Sequence, residues 1–373
     1  MGCTEDGICP LRAALVFQAD ANMKTRSTRG CIGAVAGPSG IGHAMADRGA
    51  PSRAALTVVA LLALMCARAA EPPPVPRGVT RIHDPSTVMR DGARWWVFGT
   101  GRGIVSLWST NRLDWHQGPS VFREAPAWAN EWVPEHRFRY WAPDVIRVGE
   151  QFYLYYSVST WGSRQSAIGL ARSRALDPEA PGGGWRDAGP VVRTTPADNY
   201  NAIDPAPFLD RDGRLWLVFG SYWSGIKLVE LDPATGLRKN AGSPLVDLAW
   251  KEAIEAAALL RHGDDYFLFV NWGQCCRGTN STYEIRVGRS RSVTGPYLDR
   301  DGRDLREGGG TLFLSGSGRF IGPGHPAFFE AEGRWWVSYH FYDAEQAGRS
   351  ALDILPLEWD AEGWPMVRPR QRP

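Results

Sequence analysis

Short runs of apolar and aromatic residues alternate with turn signals along most of the chain, and apolar spacing typical of helices is nearly absent after residue 70. Five segments follow one plan: a polar residue, a short apolar run, a tight turn and an aromatic-rich run. Their turns are Asp91-Gly92, Gly149-Glu150, Asp212-Gly213, Gly263-Asp264 and Glu332-Gly333. Short runs joined by glycine-containing turns are typical of β-hairpins. The pattern therefore predicts five hairpins in an all-β domain.

The spacing of the five segments predicts how the hairpins are arranged. The polar residues that open them are spaced by 60, 60, 51 and 70 positions, and they are Asp84, Asp144, Asp204, Glu255 and His325. A repeat of this length holds several strands, which fits one blade of a β-propeller. We therefore predict a five-bladed β-propeller, with four-stranded blades around a central channel, over residues 80–373. The segment 352–366 is expected to add a strand pair that closes the ring.

The five opening residues carry the candidate chemistry. Equivalent positions in successive blades are related by rotation about the channel axis, so these residues are expected to form a ring at one mouth of the channel. An Asp before Pro, as at Asp84 and Asp204, is often only a turn former. Four carboxyl groups packed together are harder to explain in this way, because like charges cost energy and shift pKa values apart. The ring is therefore predicted to be an active site.

The chain before the repeats has the pattern of an export signal. The apolar run 54–67 follows Arg48 and Arg53, and an A-x-A pattern ends at Ala69. This run is too short to span a membrane, which takes ~20 residues. We predict a signal peptide over residues 45–70, with Met45 as the true start, and a Pro-rich linker over 71–79. Residues 1–44 are interpreted as a disordered segment that lies upstream of the true translation start and was included in the sequence by mistake. The mature protein is expected to be secreted or periplasmic, without contact to a membrane.

Composition limits the kinds of binding partner and cofactor that we expect for this protein. The chain has 42 basic and 40 acidic side chains, so its charge gives no reason to expect nucleic acid as a partner. Its 17 Trp suit both core packing and stacking on sugar rings. The mature chain has only the adjacent Cys275 and Cys276, which excludes a disulfide framework and leaves open a vicinal bond or two thiols. A monomer without an organic cofactor is expected.

Several motifs, taken together and in order, resemble glycoside hydrolase family 43, the five-bladed propeller glycosidases, and within it the endo-α-1,5-L-arabinanases. They cover essentially the whole predicted mature chain. The motifs are His83-Asp84-Pro85-Ser86, Tyr140-Trp-Ala-Pro-Asp144, Tyr200-Asn-Ala-Ile-Asp-Pro205, Gly220-Ser-Tyr-Trp-Ser-Gly225, Ile254-Glu255-Ala256, Cys275-Cys-Arg-Gly278, Asn280-Ser-Thr-Tyr283 and Gly322-Pro-Gly-His325. One departure is the alanine run after Glu255, where the family usually carries a proline.

The resemblance implies an inverting mechanism with three acids. Asp84 matches the general base, Glu255 the general acid, and Asp204 the residue that orients the acid and raises its pKa. Inversion fits such a ring, since it uses two carboxyl groups roughly 6.5–9.5 Å apart on opposite faces of the sugar. The resemblance gives Asp144 no catalytic role, and we interpret it as a structural acceptor for neighbouring backbone amides.

The resemblance also implies an ion, usually calcium, held in the channel by His325 and water molecules. For the substrate, Trp141 and Trp223 are expected to stack on furanose rings. Asn201 and Ser221 are expected to bind hydroxyl groups, and His83 is a candidate subsite residue beside the base.

The sequence therefore predicts an exported endo-arabinanase that acts on arabinan, a polysaccharide, or on its oligosaccharides. An exo-α-L-arabinofuranosidase or a β-xylosidase of the same family is the enzymatic alternative. A non-catalytic carbohydrate-binding propeller is the alternative from another class, and the retention of all three acids argues against it.

Overall fold

The structure, a computed structural model, describes residues 74–370 apart from 182, 183 and 241. The predicted upstream segment 1–44 and signal peptide 45–70 lie outside the described residues. Within the described part, no helix is both long and apolar enough to cross a membrane. The single α-helix found there, α1, spans Ala127–Trp132. Short 3-10 helices span Pro134–His136, Gly278–Asn280, Leu305–Glu307 and Ala344–Gln346.

The strands form five blades in a ring, so the predicted five-bladed β-propeller is confirmed. Blade one contains β1 (Arg77–Gly78), β2 (Met89–Asp91), β3 (Arg94–Gly99), β5 (Val105–Ser109) and β6 (Asp114–Gln117). Blade two contains β4 (Gly101–Arg102), β7 (Arg139–Val148), β8 (Gln151–Val158), β9 (Ser166–Ser173) and β10 (Arg186–Thr194). Blade three contains β11 (Ala206–Leu209), β12 (Leu215–Phe219), β13 (Ile226–Leu231) and β14 (Val246–Ala249).

Blade four contains β15 (Ile254–His262), β16 (Asp265–Trp272), β17 (Glu284–Ser290) and β18 (Thr311–Ser315). Blade five contains β19 (Phe320–Ala331), β20 (Arg334–Asp343) and β21 (Arg349–Pro356). A separate hairpin of β22 (Glu358–Trp359) and β23 (Pro365–Met366) follows, at the place where the sequence predicts a closing strand pair. Its Trp364 packs in the same core cluster as Leu355 of β21.

Each blade contains an antiparallel hairpin whose first strand is β2, β7, β11, β15 or β19, so all five predicted hairpins are present. The turns use glycine where the backbone requires positive φ, as at Gly92 (57°) and Gly263 (61°). The first strands also contact each other around the ring: β7 with β11, β11 with β15, and β15 with β19. They therefore line the channel, and residues at their starts lie near one another.

The ring is closed by contacts between blade five and blade one. Leu352 of β21 and Phe329 of β19 pack in one core cluster with Ile82 and Val97. The backbone N–H of Leu352 donates to the carbonyl of Thr80 at 2.8 Å. β1 adds to the edge of blade one by parallel pairing with β6, so the propeller begins inside the segment predicted as a linker.

Candidate active site

A recurrent backbone conformation marks the start of each channel-lining segment. One residue per blade has positive φ there: Asp84 (50°), Ala142 (42°), Asp204 (57°), Ala256 (52°) and His325 (58°). In blades two, four and five the register of the first two strands shifts at this point, as in a β-bulge. Bulges bend a strand and re-aim a side chain, and strained non-glycine residues cluster at functional sites.

These positions correct the predicted repeat alignment in two blades. Ala142, not Asp144, is equivalent to Asp84, and Ala256, not Glu255, occupies that place in blade four. Asp144 Oδ1 accepts the backbone N–H groups of Thr87 at 2.7 Å and Val145 at 2.8 Å. Burial raises the pKa of Asp144 to about 6 against these hydrogen bonds. Asp144 is thus a buried acceptor that joins blade two to blade one.

Asp84 is surrounded by imidazole groups. Its Oδ2 lies 2.8 Å from His83 Nδ1 and accepts the Thr100 hydroxyl at 2.5 Å. Its Oδ1 lies 3.6 Å from His325 Nδ1 and 3.7 Å from His340 Nδ1. Burial alone would raise the pKa of Asp84, but the charge and hydrogen bond of His83 hold it well below its usual range. Asp84 is therefore ionised at any pH at which the protein would work.

His83 is held from several sides. Its ring stacks on that of His340, with centroids 4.1 Å apart, and its Nε2 lies 2.8 Å from the Tyr342 hydroxyl. Cys276 Sγ lies 3.7 Å from the same nitrogen. Burial would lower the pKa of His83, but the Asp84 carboxylate raises it well above its usual range. His83 is thus a cation paired with Asp84.

The two cysteines of the described chain, Cys275 and Cys276, are free thiols. A hydrogen bond from Cys275, together with His83 and against the effect of burial, lowers the pKa of Cys276 to about 5. The backbone N–H of Cys276 donates to the Tyr342 hydroxyl at 2.6 Å, which fixes this segment beside His83.

Glu255 is buried among hydroxyl groups rather than imidazoles. The Ser221 hydroxyl donates to its Oε2 at 2.7 Å, and the Tyr283 hydroxyl donates to Oε1. Burial raises the pKa of Glu255 to about 7, although the Ser221 hydrogen bond opposes this. The negative charges of Cys276 and Asp84 act in the same direction as burial. Glu255 can therefore hold a proton near neutral pH.

Asp204 is coupled to Glu255. Its Oδ2 accepts the backbone N–H of Ala256 at 3.2 Å, and its own N–H donates to Ser157 Oγ at 3.0 Å. Burial, then the charge of Glu255, raises the pKa of Asp204 well above its usual range. The sequence analysis attributes the raised pKa of Glu255 to a negative Asp204. In the structure burial is the main cause of the raised pKa of Glu255. Asp204 itself favours the protonated form, first because it is buried and then because the two acids repel each other.

The structure places the predicted substrate-binding residues unequally. His83 and Ser221 contact the candidate catalytic acids directly. Asn201 is buried, and its Oδ1 has no hydrogen-bond partner among the described residues. Trp141 is half-buried and lies against the exposed Trp161, with centroids 5.4 Å apart. Trp223 is 38% exposed on the loop that carries Ser221.

The predicted metal ligand His325 is buried beside Asp84, and its backbone N–H donates to Asn271 Oδ1 at 2.9 Å. Burial lowers its pKa, so the ring is neutral and can act as a ligand. The ligand atoms of His83, Asp84 and His340 also lie within 4.8 Å of one another, but both ring nitrogens of a cationic His83 are donors and cannot bind a metal ion. Calcium normally takes 6–8 oxygen ligands. The described side chains thus fit a largely hydrated ion with one imidazole ligand, and they do not form a calcium cage.

Sequence reasoning missed His340, Tyr342, Thr100 and Tyr283. His340 and Tyr342 lie two residues apart in β20 and so point to the same face of the sheet. Both follow the fifth repeat motif in an aromatic-rich strand, where alternation could have marked them as channel-facing. Tyr283 ends the motif Asn280-Ser-Thr-Tyr283, to which no role was assigned. Thr100 carries no comparable signal, because single hydroxyl residues are common at strand ends.

Comparison with known proteins agrees with this geometry. The family model described as glycosyl hydrolases family 43 matches residues 74–365. The chain is 42% identical over 299 residues to the extracellular exo-α-(1→5)-L-arabinofuranosidase ArbA of Cellvibrio japonicus, covering 77% of this chain and 86% of the relative. It is 43% identical over 292 residues to the extracellular endo-α-(1→5)-L-arabinanase 1 of Bacillus subtilis, covering 76% and 87%.

Solved structures are similar over the same region. An exo-1,5-α-L-arabinanase from a bovine ruminal metagenomic library superposes with a TM-score of 0.74 at 39% identity, covering 77% of this chain and 97% of that chain. A Cellvibrio cellulosa α-L-arabinanase in complex with arabinohexaose gives a TM-score of 0.73 at 39% identity, covering 77% and 95%. The family match over most of the chain, with two relatives above 40% identity, shows that this protein is a glycoside hydrolase and belongs to family 43.

Proposed function

We propose that this protein is an exported, inverting hydrolase that cleaves α-1,5-L-arabinofuranosidic bonds within arabinan chains. The observation that carries the proposal is the opposite behaviour of two buried carboxyl groups near one channel mouth. Asp84 is held ionised, whereas Glu255 has its pKa raised to about 7. Inverting hydrolysis needs one carboxylate to take a proton and one carboxylic acid to give one.

In the proposed reaction Asp84 accepts a proton from a water molecule as the water oxygen attacks the anomeric carbon. The glycosidic bond breaks, and Glu255 gives its proton to the leaving oxygen. Asp204 acts as a positioning residue, because its hydrogen bond from the Ala256 N–H fixes the peptide next to Glu255. His83 orients the Asp84 carboxylate through the contact at Nδ1.

The names of the relatives support arabinan as the substrate but divide between endo and exo action. The two related enzymes named above are also called extracellular, which supports export by the predicted signal peptide. A family-43 exo-α-L-arabinofuranosidase or β-xylosidase is the remaining enzymatic alternative. A carbohydrate-binding propeller without catalysis would have no need for an ionised and a protonated acid side by side.

The deciding experiment incubates purified protein with linear arabinan, aryl α-L-arabinofuranoside and aryl β-D-xyloside. Endo action predicts a rapid fall in arabinan viscosity, with oligosaccharides appearing before arabinose. Proton NMR of the first product should show the β-anomer, since inversion changes the anomeric configuration. Release of arabinose alone from chain ends would contradict endo action, and cleavage of xyloside alone would contradict the substrate.

We also propose that His325 binds one hydrated calcium ion in the channel. A dication there would favour the ionised form of Asp84, whose Oδ1 is 3.6 Å from His325 Nδ1. Calorimetric titration of chelator-treated protein with calcium should show one binding site. The heat of calcium binding should be absent in His325→Ala. Equal binding by wild type and His325→Ala would contradict the assignment.

A further inference from the structure

An open groove lies beside the candidate active site. It encloses about 530 Å³, within the range of roughly 300–1,000 Å³ common for ligand sites. Trp223 and Trp250 line it, together with Arg164, Asn199 and Arg306. Of these five residues only Trp223 is a residue that the sequence predicts to bind substrate.

Two indole rings give the groove its apolar surface. Trp223 is 38% exposed and Trp250 is 47% exposed. The Trp250 Nε1–H donates to the Trp223 carbonyl at 2.9 Å, and the Arg164 guanidinium lies 5.5 Å from the Trp223 ring centroid. Tyr222 and Trp223 both have positive φ, at 54° and 41°. Strained backbone persists where the surroundings fix it, so the backbone that carries Trp223 is held in place by its neighbours.

One loop, residues 220–225, connects the candidate acid to the groove. Ser221 in this loop donates to Glu255, and the N–H of Tyr222 donates to the carbonyl of Ile254 at 2.7 Å. Trp223, two residues after Ser221, lines the groove. Because Glu255 protonates the leaving oxygen in the proposed function, a groove next to it lies on the leaving-group side of the scissile bond.

The polar groups of the groove suit a neutral ligand. Lys227 Nζ donates to Asp247, another lining residue, at 2.5 Å, and Arg306 is paired with Asp304 at 2.6 Å. Asp247 and Arg306 are thus already neutralised by neighbours, and the Arg164 guanidinium donates to the Asp198 carbonyl at 2.5 Å. Two indoles with hydrogen-bonding groups around them fit sugar rings and hydroxyls better than an anion.

We propose that this groove binds the part of the arabinan chain that follows the scissile bond, and that Trp250 stacks on one of its furanose rings. The proposal rests on the proposed function and extends it, because a site for several leaving-group units favours cleavage inside a chain. It assigns a substrate-binding role to Trp250, which the three-acid mechanism does not use.

The test compares Trp250→Ala with wild type on linear arabino-oligosaccharides of increasing length. In wild type KM should fall as the chain lengthens; in Trp250→Ala this dependence should flatten, with KM for long chains raised roughly tenfold. KM for an aryl arabinofuranoside, which is too short to reach the groove, should not change. Trp250→Phe keeps an aromatic ring and should retain most of the length dependence. Leu312→Ala, an exposed apolar residue outside the groove, is the neutral control.

A dependence of KM on chain length that is unchanged in Trp250→Ala would overturn the proposal. Equal loss of this dependence in Trp250→Phe would also overturn it, because stacking would then not be the cause. Calorimetry with the inactive Asp84→Asn background separates binding from catalysis. If that protein binds long oligosaccharides more tightly than short ones, and Trp250→Ala abolishes the difference, the groove is supported. Wild type that hydrolyses neither arabinan nor aryl arabinofuranoside would instead contradict the proposed function, and this calorimetry would still decide the groove.

Discussion

The surroundings of Asp84 and of Glu255 differ in one respect that decides their chemistry. Both carboxyl groups are enclosed by protein, and burial acts on both to raise the pKa. Asp84 has three imidazoles within 3.7 Å, one of which is cationic. Glu255 has two hydroxyl groups, from Ser221 and Tyr283. Burial alone therefore does not assign an acid or a base; the charge of the nearest partners does.

The difference follows from where each group lies in the ring. Asp84 is at the junction of blade one with blade five, so His325 and His340 reach it from β19 and β20 across the closure. Glu255 is inside blade four, and its partners come from the loop between β12 and β13 of blade three and from its own blade. Closing the ring thus places two neutral imidazoles beside Asp84 and stacks His340 on its cationic neighbour His83, whereas Glu255 has no cation in contact.

The largest expected effect comes from removing the ionised member of this pair. Asp84→Asn keeps the shape but cannot accept a proton, so kcat on arabinan should fall by roughly 10⁴-fold, the upper end for general base catalysis. Circular dichroism should show a wild-type fold. Asp264→Asn, an exposed turn residue in blade four, is the matched control and should keep full activity. Substantial activity in folded Asp84→Asn would mean that another group activates the water.

Removing the acid should have an effect that depends on the leaving group. Glu255→Ala should lower kcat on arabinan by roughly 10²–10⁴-fold, because the leaving sugar needs a proton. On an aryl arabinofuranoside with a good leaving group the loss should be much smaller. Glu252→Ala, at an exposed carboxyl three residues earlier, should behave as wild type. An equal loss on both substrates in a folded Glu255→Ala protein would contradict the acid assignment.

Asp204→Asn should sharpen the comparison through the pH profile. Activity needs protonated Glu255, so kcat falls as pH rises through the pKa of the coupled pair. In wild type the second deprotonation puts two negative charges together, which moves that fall to higher pH. Without the second charge the basic limb should move to lower pH, below the pKa of about 7 that Glu255 has in the wild-type protein. The acid side should not change above pH 4, because Asp84 stays ionised there. A basic limb that does not move would show that burial alone determines it.

The hairpins and the ring were predictable because their signals are local. Each hairpin is marked by a glycine turn between apolar runs, and repetition at one spacing indicates blades. Asp84 and Asp204 stood out because both precede proline within the repeat. The repeat alignment was wrong at Asp144 and Glu255. Ala142 precedes Pro143 just as Asp84 precedes Pro85, so the proline could have corrected blade two, whereas Ala256 is followed by Ala257 and lacks this mark.

The environment of Asp84 could not be predicted from the sequence for a different reason. His340 lies 256 residues from Asp84 in sequence, and only closure of the ring brings them together. Sequence analysis could place His325 in the channel from the fifth repeat, but it could not show that its ring approaches the base. The pKa of Asp84 is lowered mainly by its sequence neighbour His83, and His340 and Tyr342 hold that ring in place from blade five. The sequence could therefore name the candidate base without explaining why it is ionised.

The smallest expected effect concerns the Ser221 hydroxyl, and its sign is opposite to that of Asp204→Asn. The hydrogen bond from Ser221 favours ionised Glu255 and so opposes the rise in its pKa. In Ser221→Ala this opposition is lost, and the basic limb should move to higher pH. One neutral hydrogen bond contributes about 0.5–1.5 kcal/mol, so kcat at the optimum should fall only several-fold as Glu255 becomes less well positioned. Ser292→Ala, in a turn away from the active site, should leave the basic limb and kcat unchanged. Movement of the limb to lower pH would show that Tyr283, not Ser221, sets the proton affinity of Glu255.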